Sequence, residues 1–393
     1  MSDKGGFTYF KNLDGLRAIA AFSVILFHSG WWFTPPGTEF YKWLRFLMVF
    51  GGDGGLQGVK FFFILSGFLI TYLMFSEQAK QGKINIPYFY VRRVLRIWPL
   101  YYLTLVAGFL VYPWLMHLSG KDFHETAGGW MYSLFAANFD NVYNPGSPTA
   151  GILGVQWSVA VEEQFYLTWP LIFYAFSKKK FYPFLLLAII ILSEIFFVRA
   201  ETFAEETFHL LSCFRFLAFG GLLAWICFTY AERVRNFFSK ISKTLTIVIY
   251  SVCLLLLLAE TKMIHLFPWY KNAGQFVAII FFGFVIVEQN YSANSFFKIG
   301  SFRILNWLGK ISYGLYLTHM IAIYIVRGVF PEAPEFFLLK VLSAILITVL
   351  ISHISYYYME SFFLSLKNKF SIIKTIPPPS EKTAPAQPSS SPV

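Results

Sequence analysis

Ten stretches of this chain are apolar for about the ~20 residues that a helix needs to cross a bilayer, and nothing else in the sequence restricts the fold as much. They run over residues 13–32, 59–76, 95–116, 151–176, 181–200, 207–229, 244–260, 273–290, 304–326 and 336–359. Charged residues make up 13% of the chain, against ~25% in a typical soluble domain. The reading is an all-α polytopic membrane protein of about ten transmembrane helices.

Orientation follows from where Lys and Arg fall between the spans. With the N-terminus inside, and the span-end residues counted with the connections they adjoin, the inward side carries 21 of the 32 Lys and Arg and the outward side 9, while Arg17 and Arg215 are assigned to neither. Both termini are therefore expected in the cytoplasm. The net charge of +11 then faces anionic lipid and requires no nucleic acid. Residues 1–365 read as one transmembrane domain without internal repeats, and 366–393 as a disordered cytoplasmic tail, since "IPPPSEKTAPAQPSSSPV" has too few apolar residues to order itself. The run "AIAAFSVILF" has signal-peptide length, but "HSGWWF" follows it instead of a small-residue cleavage site. The first helix should stay attached, with Trp31 and Trp32 at the outer interface. Cys213, Cys227 and Cys253 all lie in apolar spans and read as core, not as a disulfide or metal site.

Four segments keep polar groups where hydrocarbon makes them costly. In "LDGLRAIAAFSVILFHSG", Arg17 and His28 are eleven residues apart, so they share one helical stripe about 16 Å long, and Asp14 stands one turn before Arg17. In "YVRRVLRIWPLYY", Arg93 and Arg96 share a face at the cytoplasmic start of the third span, beside Arg92. Two guanidiniums so placed form either an ordinary inward-positive cluster or a clamp for phosphate. In "VQWSVAVEEQFYLTWP", Glu162 and Glu163 point about 100° apart and require different partners, and Ser158 lies one turn before Glu162. In "ISYGLYLTH", Ser312, Tyr316 and His319 fall on one face, and Glu360 at the inner end of the last span is placed to meet an arginine.

Together with "VKFFFILSGFLIT", these segments in this order resemble the acyltransferase 3 family of integral membrane acyltransferases, whose members O-acetylate surface polysaccharides, lipopolysaccharide and Nod-type oligosaccharides. The resemblance covers residues from about 11 to about 360. Arg17 and His28 match its Arg-ten residues-His spacing, and Arg93 and Arg96 its Arg-x-x-Arg signature. It implies transfer of an acyl group, commonly acetyl, from acyl-CoA to a hydroxyl of a carbohydrate or glycolipid, by a multi-pass protein of the cell (inner) membrane. The tail is too short for the SGNH-type hydrolase domain of some members, so the transmembrane unit alone is expected.

Attack of a hydroxyl on a thioester needs a base, and the ordinary histidine pKa of about 6.5 suits His28 to that proton transfer. Glu162 or Glu163 is a candidate to orient the imidazole. Trp157, Ser158, Tyr316 and His319 are candidates for contact with substrate or for the oxyanion. Arg17, Arg93 and Arg96 would hold acyl-CoA. Direct transfer and an acyl-His28 intermediate are both open, and no metal is called for. A secondary transporter is the alternative, because intramembrane His, Glu and Arg suit it equally.

Overall fold

The computed structural model describes residues 10–34 and 54–371. Every regular element among them is helical, and each apolar run has its helix. In chain order the long helices are α1 (Lys11–Phe33), α2 (Gly54–Gln81), α3 (Ile86–Val106), α4 (Gln156–Phe176), α5 (Tyr182–Arg199), α6 (Leu210–Thr229), α7 (Lys243–Leu258), α8 (Tyr270–Tyr291), α9 (Ser312–Val329) and α10 (Phe337–Ile354). A π-turn at Ala107–Val111 carries α3 on to Leu118, and another at Ser355–Glu360 carries α10 into a last helix, Ser361–Asn368.

Seven helices among the described residues are long and apolar enough to cross a membrane. The number is eight if Ala231–Lys240 and α7, which meet at 93°, count as one bent span. The expected ten is thus reached only in part, and the shortfall has a chemical reason. The full-length helices below the apolar threshold are α4, with its two carboxylates, and α9, with Tyr316 and His319.

Close backbone contact positions the centre. An added Cβ at Gly67 of α2 would overlap the Leu217 carbonyl of α6, and one at Gly220 would overlap the Ile64 carbonyl. Small residues of this kind let membrane helices approach until their backbones touch. Ser66 is thereby fixed on the turn beside the contact. The start of α1 is held by Asn12, whose amide donates to the Gln289 carbonyl (2.7 Å) and accepts from Gly300 N–H (2.9 Å). Asn85 caps α3 by accepting from Tyr88 N–H (3.0 Å), with Pro87 in the first turn, and so sets the phase of the arginines that follow. Gln156 donates to Thr104 (2.8 Å), Trp169 to Thr71 (2.8 Å) and Tyr313 to the Ile97 carbonyl (2.8 Å), tying α4 to α3 and α2, and α9 to α3.

Specific contacts order two segments outside the long helices. The segment around 117–150 carries short helices at Gly129–Ser133 and Ala137–Tyr143. Glu125 accepts from the backbone N–H groups of Ala127 (2.9 Å), Thr149 (2.8 Å) and Ala150 (2.7 Å). At the other end, the chain stays helical beyond residue 365. Phe370 accepts a hydrogen bond from Arg92 (2.9 Å) and packs edge-on against Tyr88, while residues 372–393 of the expected tail lie outside the described part.

Candidate active site

A cavity of about 330 Å³ opens between α1, α2, α3, α4 and α9. Asp14 and Arg17 line it from α1, Ser66 from α2, Arg93 and Arg96 from α3, Ser158, Glu162 and Tyr166 from α4, and Ser312, Tyr313 and Tyr316 from α9. The terminal helix adds Lys367, which the sequence reading had left in the tail. Four cationic side chains thus meet two carboxylates around one cavity. Arg17 pairs with Asp14 at 3.2 Å, as the i,i+3 spacing implied. The Arg93 guanidinium lies 5.5 Å from the Tyr166 ring centre and 5.7 Å from that of Phe89, and its Nε has no hydrogen-bond partner. Arg92 is turned elsewhere, bound to Glu77 at 2.9 Å and to Phe370.

The carboxylates take different partners, as their angular separation required. Glu162 faces the cavity and accepts from Ser66 (2.7 Å) and Tyr166 (3.1 Å). Glu163 turns to α3, where the Trp98 indole donates to it at 3.0 Å. Neither orients His28. The imidazole Nδ1 instead meets the Val24 carbonyl (3.0 Å) and Nε2 of His319 (3.1 Å). The expected carboxylate–histidine pair is therefore replaced by a histidine–histidine pair, because the packing of α1 against α9 brings His319 to that edge of the ring and holds Glu162 with α2.

The polar face of α9 also divides. Ser312 lines the cavity, Tyr316 hydrogen-bonds Ser158 at 2.6 Å, and His319 is fully buried against His28. The cavity lining stops at Ser158 and Tyr316 and includes neither histidine. Trp157, a candidate oxyanion donor, packs against Phe63 and Phe208 and is not part of the lining. Glu360 accepts from Ser355 at 2.9 Å. Ser66, Tyr166, Tyr313 and Lys367 are the polar lining residues that sequence reasoning missed. Ser66 does stand within the "VKFFFILSGFLIT" stretch, but Lys367 has no local signal. Among the described residues no group of His, Cys, Asp or Glu is arranged to hold a metal.

Known proteins bear on this geometry. The chain is similar to peptidoglycan O-acetyltransferase OatA of Listeria monocytogenes, 28% identical over 379 residues, which is 90% of this chain and 55% of that protein. It is likewise 28% identical over 369 residues to O-acetyltransferase OatA of Staphylococcus aureus, covering 57% of it. With the putative peptidoglycan O-acetyltransferase YrhL of Bacillus subtilis it shares 26% identity over 371 residues, 54% of that protein. The chain therefore spans about half the length of these relatives. No solved structure matches it. The acyltransferase-domain family model matches residues 10–357, which hold every polar side chain of the cavity except Lys367, and this multi-pass membrane chain belongs to that acyltransferase family.

Proposed function

We propose that the protein is a membrane O-acetyltransferase that moves an acetyl group from cytoplasmic acetyl-CoA to a hydroxyl of a cell-envelope carbohydrate, with peptidoglycan the first acceptor to test. The observation that carries this reading is a cationic cavity whose lining reaches the Ser158–Tyr316 hydrogen bond, one turn of α9 from the His319–His28 pair. Arg93, Arg96, Arg17 and Lys367 would neutralise the donor's phosphates at the inner end, guanidiniums suiting phosphate by their paired donors. The thin pantetheine arm would then lead the thioester past Ser158 and Tyr316 to His28, about 16 Å along α1 from Arg17. The expectation of ten spans with both termini inside belongs to this proposal, because it puts the cations on the cytoplasmic side.

The chemistry balances with groups of the chain. The acceptor oxygen attacks the thioester carbonyl carbon while its proton passes to the lone pair of His28. Collapse of the tetrahedral oxyanion breaks the C–S bond, and the departing thiolate takes the proton back from His28. Ser158 and Tyr316 are hydroxyl donors placed to meet the oxyanion. Glu162 keeps Ser66 and Tyr166 in place beside Arg93.

Sealed vesicles of known orientation test the whole reading. Acetyl-CoA confined to the cytoplasmic side should acetylate peptidoglycan fragments confined to the other side and release CoA where it was supplied. Transfer only when both substrates share the cytoplasmic compartment would exclude the through-membrane path, and uptake without CoA release would favour a transporter.

A further inference from the structure

Three hydrogen-bond contacts fix where the protons of the histidine pair lie. His319 Nδ1 is 2.6 Å from the Tyr316 carbonyl oxygen, His28 Nδ1 is 3.0 Å from the Val24 carbonyl oxygen, and His319 Nε2 is 3.1 Å from His28 Nδ1. A carbonyl oxygen only accepts, so each Nδ1 must carry the hydrogen. With both rings neutral, His319 Nε2 is then bare and accepts from His28 Nδ1–H. Only this proton arrangement satisfies all three contacts. It leaves His28 Nε2 as the nitrogen with a free lone pair.

We infer that His319 is a positioning residue, which fixes the tautomer of His28 and accepts from the imidazolium formed when His28 takes the acceptor's proton. The inference rests on the reading of His28 as the base. In the familiar catalytic triads a carboxylate holds the far nitrogen of the imidazole; here a neutral, fully buried imidazole occupies that place. The substitution suits its surroundings. An anion at this depth without a cation is costly, whereas a bare ring nitrogen is a strong acceptor that carries no charge. His319 is itself held by the Tyr316 carbonyl, one turn earlier on α9, and the Tyr316 side chain bonds to Ser158. The orienting partner of the base and the Tyr316–Ser158 contact are thus set by one turn of one helix. The sequence placed His319 among groups touching substrate, but its partners in the structure are the Tyr316 backbone and His28.

The test is the full chain in lipid nanodiscs, read as CoA release from acetyl-CoA with soluble peptidoglycan fragments as acceptor. His319→Ala should lower kcat about 30- to 100-fold and leave the KM for acetyl-CoA within about twofold. This loss is smaller than for a triad carboxylate, because the Val24 carbonyl still holds Nδ1–H. His319→Gln, whose amide oxygen can accept, should recover about tenfold of it. The double variant His28→Ala/His319→Ala should be no slower than His28→Ala, since groups acting as a unit are non-additive. Nitrogen-15 shifts of histidine-labelled wild type should give His28 a protonated Nδ1 and a bare Nε2, and this measurement needs no variant to fold. The opposite tautomer overturns the inference. So does a His319→Ala enzyme within threefold of wild type, a KM that rises as kcat falls, a Gln variant as slow as Ala, or a double variant slower than His28→Ala. If His28→Ala itself turns over normally, the base reading fails and takes this inference with it. If only the His319 variants are normal, the base reading stands.

Discussion

Each polar side chain in the core makes a separate prediction, because each has its own partner. His28→Ala should remain folded and inserted while transfer falls at least ~100-fold, the lower range of general-base contributions, measured as acetyl transfer against the amount of membrane-inserted protein. The two carboxylates should separate. Glu162 lines the cavity and Glu163 bonds to Trp98 outside it, so Glu162→Gln should lower turnover while Glu163→Gln chiefly lowers thermal stability. Arg93→Ala, Arg96→Ala and Lys367→Ala should each raise the KM for acetyl-CoA, whereas Lys178→Ala, an exposed residue that donates to the Gly82 carbonyl, should not. Equal effects at all four positions would mean diffuse charge, not a clamp. The stripe of Arg17 and His28 and the shared face of Ser312, Tyr316 and His319 were legible in the sequence because each needs only the period of one helix. The bond between His28 and His319 was not, because it joins residues 291 positions apart and depends on how α1 and α9 pack.

The elements that hold the site differ in what they tolerate. The crossing of α2 and α6 depends on backbone contact at Gly67 and Gly220, and a larger side chain there forces the helices apart at a cost of about 1–3 kcal/mol or more. Gly220→Leu should therefore lower the melting temperature and also lower activity, since Ser66, which bonds to Glu162, is next to Gly67. Gly328→Ala in α9, where an added Cβ meets nothing within 4 Å, should change neither, as thermal melts and the transfer assay will show. Most of the fold was legible at this scale, because a membrane helix is written as an unbroken apolar run. The exceptions are informative. Hydropathy is weakest in α4 and α9, whose polar residues are those the cavity and the histidine pair require. The last helix was missed because "ESFFLSLKNKF" is short, and its order comes from tertiary contacts of Phe370 with Arg92 and Tyr88.

The charged cavity lies at the Ser312 end of α9, and the segment that Glu125 organises lies toward the other end, where Gly151 N–H donates to Tyr324. If the count of Lys and Arg sets the orientation, a cysteine introduced at Lys179 should react with a membrane-impermeant maleimide only from the cytoplasmic side, and one at Lys121 only from the opposite side. The reverse labelling would put the cations at the wrong face for acetyl-CoA. The hydrogen bond between Ser158 and Tyr316, at which the cavity lining ends, also matters to the cell that carries the protein. Any enzyme with a wet path reaching across a bilayer risks short-circuiting the proton gradient across that membrane. On the proposed path the Ser158–Tyr316 pair would be the seal, and the Tyr316 ring, buried beside Phe62, would supply its bulk. Tyr316→Ala proteoliposomes should therefore lose an imposed pH gradient faster than wild type even without any substrate, and the growth defect from overproducing that variant should follow the collapse of membrane energisation, not the loss of acetylation.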